Sequence, residues 1–468
     1  DAKASVNAKD RNGVTALLMA VGEGLTSCLQ VLIDAKADLE AKDNEGIAAL
    51  MLAAAAGHAA CVQLLVQAKA CLESIDVRRR TPLLWAVEYD RVDCVRVLVD
   101  TKANIQAKDE HGDPPLSVAA RLGHLKCVQL LVGAKAQLNA KNVVGLSALM
   151  VATITGHVAC LQALLDANAD VDAKTPNGTN ALIGACKQNQ PECVRLLIDA
   201  KANLEGKLSE SGNNALTLAV GKGYHQCVQL LIDARADLDA TDETGASAVV
   251  IAANKGHLAC LKLLVRAKAD LRVTTEEGVF ALLTAASQNH PECVAVLLEA
   301  KADVNMKADR GIPALMMAAA KGNIACLQLL VNAKADLEFK DSTYSSTALM
   351  LAATHGATAC VKYLIEAKAK LQIKDKDGDT ALMRAIESGH HEIELMLRKA
   401  NLNADRALPV GSSLPISSAF NTQAKTIRDL VAKKANLECL DANGNTPLLM
   451  ATKHNHLADV SSLLTNKA

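Results

Sequence analysis

The residues best suited to chemistry in this chain are its cysteines, and their spacing decides which chemistry is open to them. Cys28, Cys61, Cys94, Cys127, Cys160 and Cys193 follow one another at intervals of 33 residues, and Cys227, Cys260, Cys293, Cys326 and Cys360 continue at 34, 33, 33, 33 and 34. Thiols can bind zinc, form disulfides or act as nucleophiles. A disulfide needs its Cα atoms within about 7 Å, whereas packed helices carrying equivalent residues lie roughly 8–10 Å apart. The series therefore reads as buried thiols acting as small hydrophobes. No CxxC pair is present, and Cys71, Cys186 and Cys439 are scattered, so zinc-ligand spacing is absent. So many free thiols imply a reducing intracellular compartment, most simply the cytoplasm.

Other candidate chemistry fails on its own geometry. His391-Glu392 lacks the second His of a zinc-binding helix. The run from Asp375 to Asp379 begins like a calcium loop, but its glycine, Gly378, comes too early and no bidentate Glu closes it, so a hairpin tip is expected. Asn177-Gly178-Thr179 fits a glycosylation acceptor, which a thiol-rich interior argues against. There is no phosphate loop. No catalytic residue, metal site or cofactor is expected, and the chain reads as a non-enzyme.

The fixed interval that carries the cysteines is itself the main structural signal, because a period of this size marks a solenoid whose units bury a core only by stacking. The unit is clear in KDNEG ending at Gly46, ALMLAAAAG from Ala49 to Gly57 and HAACVQLLVQA from His58 to Ala68: a turn and two short helices. Apolar positions such as Leu50, Ala53 and Ala54, then Cys61, Val62, Leu64 and Leu65, keep helical spacing. Half of the residues are apolar yet only 2 % are aromatic, so thin helices must pack closely through Ala, Leu, Val, Met and Cys. With 50 basic and 51 acidic residues the chain has no field to gather nucleic acid or an anionic membrane. Apolar runs such as Ala48 to Ala56 are far shorter than the roughly 20 residues a membrane span needs. Neither nucleic acid binding nor direct membrane insertion is expected.

The unit resembles the ankyrin repeat. Thr81-Pro82-Leu83-Leu84-Trp85-Ala86 and Thr446-Pro447-Leu448-Leu449-Met450-Ala451 are close to that family's T-P-L-H-x-A opening, and Gly57-His58, Gly123-His124, Gly156-His157, Gly256-His257 and Gly389-His390 match its G-H body. The resemblance implies an all-α ankyrin-repeat solenoid forming one elongated curved array. The helix-start position falls at Thr15, Ala48, Thr81, Pro114, Ser147, Asn180, Asn214, Ser247, Phe280, Pro313, Thr347, Thr380, Ser413 and Thr446, which makes fourteen repeats. Residues 1–402 are read as regular repeats 1–12, 403–436 as a degenerate repeat 13 and soft joint, and 437–468 as a final repeat or cap. The opening DAKASVNAKD reads like the end of a preceding repeat.

Departures from the family pattern are informative. The opening His, which resembles a polar tie between neighbours, is replaced by Leu18, Met51, Leu84, Met150, Met316, Met350 and Met383, so apolar packing is expected instead. The Gly that usually follows the second helix becomes Lys36, Lys69, Lys102, Lys135, Lys201, Lys268, Lys301, Lys334 and Lys368, with Asn168 and Arg235 in two units. These are expected at helix C-termini, where a left-handed backbone would cost each about 1 kcal/mol relative to Gly. Single extra residues in KLSESG and KDSTYSS are expected to be absorbed in turns.

The resemblance also implies that other proteins bind, at the turn tips and exposed ends of the first helices, on the concave side. Arg78, Arg79 and Arg80 replace the turn-glycine region of repeat 3, with Trp85 and Tyr89 on the next helix. Arginine beside aromatics is interface composition; Trp85 is read as core and Tyr89 as exposed. A second set, Val14, Ile47, Val143, Val144, Leu146, Val279 and Ile312, places apolar groups where solvent favours polar ones, so that stacked tips could form a stripe for a partner to cover. The Lys-Asp pairs of the AKD segments read as a solvated face. The resulting expectation is a non-catalytic protein-binding scaffold, of the kind that can serve as a structural subunit of a large complex; the alternative is the targeting arm of a larger enzyme or channel. Oligomeric state is left open.

Overall fold

A computed structural model describes residues 4–405, 446–453 and 457–465. Among the described residues the secondary structure is helical, with isolated bridges such as Lys42 to Ala48 in place of strands. None of the described helices is long and apolar enough to cross a membrane.

Each anticipated helix start from Thr15 to Thr380 is the N-cap of a first helix in extended conformation, as at Ala48 before Ala49–Ala56 and Pro114 before Pro115–Leu122. Several of these residues accept: Thr15 takes the amide of Leu18, Ser147 that of Met150 and Asn180 that of Ile183, whereas Ser247 makes no such cap bond. Second helices such as Ala59–Gln67 are nine residues long and bury a repeated trio, Cys61, Val62 and Leu65 or its equivalent. Nine residues fall well short of what is stable alone in water. The helices persist because first helices pack on first and second on second along the chain. Ser413 lies outside the described residues, as do residues 406–436 of the expected soft joint and Cys439 beyond them.

By contact the chain divides into two compact units, residues 1–288 with 299–302, and 289–298 with 303–468. In the first, the core is made of stacked layers such as Leu50, Met51 and Ala53 against Leu83, Leu84 and Ala86. In the second, Leu315, Met316, Leu349 and Met350 play the same part. The helices Pro447–Lys453 and Leu457–Thr465 pair through Ala451, Leu463, Leu448 and Val460.

The cysteine series is buried from Cys61 to Cys360. Burial pushes Cys94, Cys193, Cys260, Cys326 and Cys360 up to about 11 and, with help from Asp90, Cys127 to about 12. These thiols stay protonated at neutral pH and serve as filler. Cys28 corrects the uniform reading, since it is exposed. The cysteine face looks back to the preceding pair, as Cys94 Sγ does toward the carbonyl of Ala53, and no described helix precedes Ala16.

Every substituted glycine site named above has a left-handed backbone, from Lys36 (φ 60°) to Lys368 (φ 67°), Asn168 and Arg235 included. The hydrogen bonds are those of a Schellman cap: Lys69 N–H donates to Val66 O and Ala70 N–H to Leu65 O. The methionines are less purely apolar than expected. Met51 and Met316 are buried, but the sulfurs of Met350 and Met383 also accept the backbone N–H of Thr347 and Thr380 at 3.4 Å.

Both insertions stay in their turns, where Gly212 (φ 62°) and Ser345 (φ 57°) take up the extra residue. In the twelfth pair the second helix, His391–Asp405, continues for 15 residues. It lacks the Ala-Lys-Ala stop of its predecessors, and the Glu394–Arg398 ion pair braces the turn where they end.

Candidate functional site

Most turn tips are closed by one side chain each. Asp43 Oδ1 accepts the amides of Glu45 and Ile47 at 2.9 and 2.8 Å, closing the turn on itself. Asp10, Asp76, Asp109, Asn142, Asp242 and Asp375 repeat the arrangement. Successive tips are then tied together. The amide of Val143 donates to His111 O, that of Glu110 to Arg78 O and that of Glu243 to Ser211 O. The lysines of the AKD segments, read from sequence as solvated charge, join this ladder instead: Lys9 Nζ donates to Lys42 O, Lys42 Nζ to Ile75 O and Lys108 Nζ to Lys141 O, at 2.7–2.8 Å. Behind the tips a second set of ties links the helices. His58, His124, His157 and His257 each direct Nε2 at a carbonyl of the preceding first helix, at 2.9 to 3.3 Å. They supply a polar connection between neighbours in units that lack the opening His, and fix the tips as a connected surface.

Repeat 3 carries a dense cluster on that surface. Trp85 is buried, as expected, and its Nε1–H donates to Asp76 Oδ2 at 3.1 Å. Arg80 lies over the Trp85 ring at 4.0 Å and donates to Asp76 and Glu88, both at 2.8 Å. Burial works against the Arg80 charge, but the hydrogen bonds to Glu88 and Asp76 outweigh it and raise its pKa. Arg80 thus holds the tip to the helix and presents little of itself. Arg78 and Arg79 are exposed, and Arg79 has φ 61° at the position held by Gly46 and Gly112 in neighbouring tips. Tyr89 is 47 % exposed and stacks on Trp85 at 5.7 Å.

In the last regular pair, Arg384 occupies the helix position of Trp85 and reaches the same turn acid. Its guanidinium contacts Asp375, Asp377 and Asp379 at 2.7, 2.6 and 3.5 Å. The acidic run is therefore a hairpin tip carrying its own cation.

Two clefts open between tips and first helices in the first unit. The smaller, of ≈ 500 Å³ across repeats 3 to 5, is lined by Arg78, Arg80, Glu88, Asp113, Arg121, Val143 and Val144 among others. The larger, of ≈ 720 Å³ across repeats 7 to 9, has Lys222 and Lys255 on its helices and Asp242, Glu243, Glu276 and Glu277 on its tips. Of the anticipated residues, Arg78, Arg80, Val143 and Val144 come together in the first cleft, and Val279 lines the second. Val143 and Val144 are 74 % and 59 % exposed. Val14, Ile47, Leu146, Val279 and Ile312 are half-buried, each immediately before an N-cap. Tyr89 and Arg79 border neither cleft. Sequence reasoning missed Glu88, Asp113 and Arg121, although laying the repeats in register shows ionisable groups where most units carry small or apolar ones.

Comparison with known proteins agrees with this geometry. A profile described as ankyrin repeats (three copies) matches residues 2–76, 68–142, 101–175, 149–242, 216–308 and 315–406. The chain belongs to the ankyrin repeat family. It is similar to the solved ankyrin repeat domain of human ASB11, at 25 % identity over 47 % of this chain and 98 % of that one, with a TM-score of 0.43. It is also similar to that of Bcl-3, described as a unique member of the IkappaB protein family, at 26 % identity over 47 % and 99 %, with a TM-score of 0.44. No curated protein sequence matches it. Ankyrin repeats are protein-protein interaction modules, and this chain is one.

Proposed function

We propose that the chain is a non-catalytic scaffold in a reducing compartment that binds partner proteins through its tips and first helices, with repeats 3 to 5 as a principal contact. The observation that carries this reading is Arg79. Neighbouring tips use glycine for the left-handed backbone there, whereas this tip holds an exposed arginine at φ 61°. Strain of about 1 kcal/mol retained at an exposed side chain supports a role outside folding. Tyr89 in repeat 3 and Val143 and Val144 in repeat 5 add exposed apolar surface.

Arg79→Gly gives a test that separates binding from folding. The substitution relieves the backbone, so the chain becomes slightly more stable while capture of partner proteins, read by photo-crosslinking from position 143, declines. Crosslinking from position 126, on a second helix, serves as the control and remains low. Equal crosslinking from both positions, or capture that rises with stability in Arg79→Gly, overturns the assignment.

A further inference from the structure

The cleft across repeats 3 to 5 contains one group that the fold leaves unsatisfied. Asp113 is 6 % exposed, and its Oδ1 has no hydrogen-bond partner. Its backbone is well held, with the amide donating to Asp109 Oδ1 at 2.8 Å and the carbonyl accepting from Asp109 N–H at 3.2 Å. The closest cation is Arg121, whose Nε stands 4.0 Å from Oδ2, beyond hydrogen-bond reach. Arg80 is committed to Asp76 and Glu88, and Arg78 leans toward Glu110 at 4.0 Å. Desolvation raises the Asp113 pKa, and a hydrogen bond with the Asn142 side chain opposes it, so the unmet acceptor is Oδ1 and not the whole carboxyl group.

A buried carboxylate oxygen lacking a donor is costly to keep, on the order of 1–3 kcal/mol for the missing bond. The comparable position in repeat 3 shows the satisfied alternative. Arg80 stands there, immediately before the N-cap, and finds its partners within its own repeat. In repeat 12 the equivalent residue is Asp379, and Arg384 lies 3.5 Å away. Of these only Asp113 keeps an oxygen without a donor, and it lines a cleft together with the exposed Val143 and Val144.

From this geometry we infer that the cleft receives a lysine or arginine of a partner protein, flanked by an apolar residue that covers Val143 and Val144. The inference rests on the protein-binding reading and adds to it the chemistry of the partner. The soft terminal torsion of the carboxyl lets Oδ1 turn toward an incoming donor. A charged donor is favoured over a neutral one because the carboxylate then gains a charge-assisted bond in a partly dry site. Four carboxylates, Glu88, Asp109, Glu110 and Asp113, face three arginines among the lining residues, and Arg80 is shared with Asp76, so the cleft carries an excess of negative charge that an added cation offsets. The valines give the apolar contact that a lone salt bridge at a surface lacks.

The test is selection of a randomised 12-residue peptide library on the full chain, followed by fluorescence anisotropy with the winning sequences. Winners are expected to carry Lys or Arg beside an aliphatic or aromatic residue. Asp113→Asn should weaken them about 10- to 100-fold, the range of one charge-assisted hydrogen bond. Replacing the peptide's Lys by norleucine, or its Arg by citrulline, should cost as much on the natural chain and little on Asp113→Asn. Val143→Ser with Val144→Ser should weaken the same peptides. Winners without a cation, or equal binding to Asp113→Asn, overturn the inference; if those winners are displaced by substitutions elsewhere on the tips, the scaffold reading stands without it. Absence of any peptide binding on the tip side sinks both.

Discussion

The lysines that end the second helices provide a measurable test of how this solenoid is held. Lys69, Lys102, Lys135 and Lys201 have φ of 68°, 67°, 64° and 65° in the first unit. A residue with a Cβ loses about 1–2 kcal/mol in this region. Glycine avoids that loss but has a more disordered unfolded chain, an offset of about 0.4–1 kcal/mol. The difference between Gly and Ala at each site is then on the order of 0.5–1 kcal/mol, or about 2–4 kcal/mol for all four together if the sites act independently. Lysine adds a separate effect, because its cation lies beside the carbonyl end of the helix and contributes about 0.3–0.5 kcal/mol at low salt. The quadruple Lys→Ala variant should therefore be less stable than the natural chain, and the quadruple Lys→Gly variant more stable than Lys→Ala by the full amount. The gain of Gly over Lys should widen with salt as the charge effect is screened. Urea unfolding followed by far-ultraviolet circular dichroism reads the sum, and hydrogen exchange at the caps assigns it to repeats, which need not unfold together. Equal stability of the Gly and Ala variants would refute the strain argument.

Three further outcomes follow from the same structure. Iodoacetamide at neutral pH should label Cys28 and Cys71 in the folded chain and reach the series from Cys61 to Cys360 only after denaturation, as read by peptide mass mapping. Because Cys94, Cys193, Cys260, Cys326 and Cys360 titrate at about 11 and Cys127 at about 12 against an ordinary 9.0, their contribution to stability is intact below pH 9 and falls as pH rises through 11; the slope is at most about 1.4 kcal/mol per pH unit for each of these thiols. A stability flat between pH 8 and 10.5, or a slope unchanged in Cys94→Ala, would contradict this. Asp76→Ala removes the acceptor shared by Trp85, Arg80 and two amides, and should destabilise the chain by about 3 kcal/mol and shift the fluorescence of its single tryptophan to the red, whereas Asp43→Ala should cost about 1 kcal/mol with no spectral change.

The helices were legible because their signals are local and repeated. Each N-cap from Thr15 to Thr380 sits where the recurring motif places it, and from Thr15 to Thr347 its cysteine keeps the same offset even after the insertions at Gly212 and Ser345. Trp85 was assigned to the core and Tyr89 to the surface from their places in the repeat, and both lie there. The candidate surface was less legible. Arg78, Arg79 and Arg80 are adjacent and chemically identical, yet Arg80 turns inward to two carboxylates while the other two face solvent. Val143 and Leu146, both apolar and in one tip, differ in the same way: Val143 is exposed, while Leu146, next to the N-cap Ser147, is half covered.

By itself the sequence determined the unit, its register, the buried thiols and the left-handed caps, because short-range periodicity and the allowed backbone of each residue are properties of neighbours along the chain. Only the tertiary structure decided which tip lysines reach the next carbonyl, which arginine is clamped and that Oδ1 of Asp113 is left without a donor. Those outcomes depend on residues about one repeat apart meeting across the stack, and the free energy of a polar group is set by which partners arrive there, not by its own place in the motif.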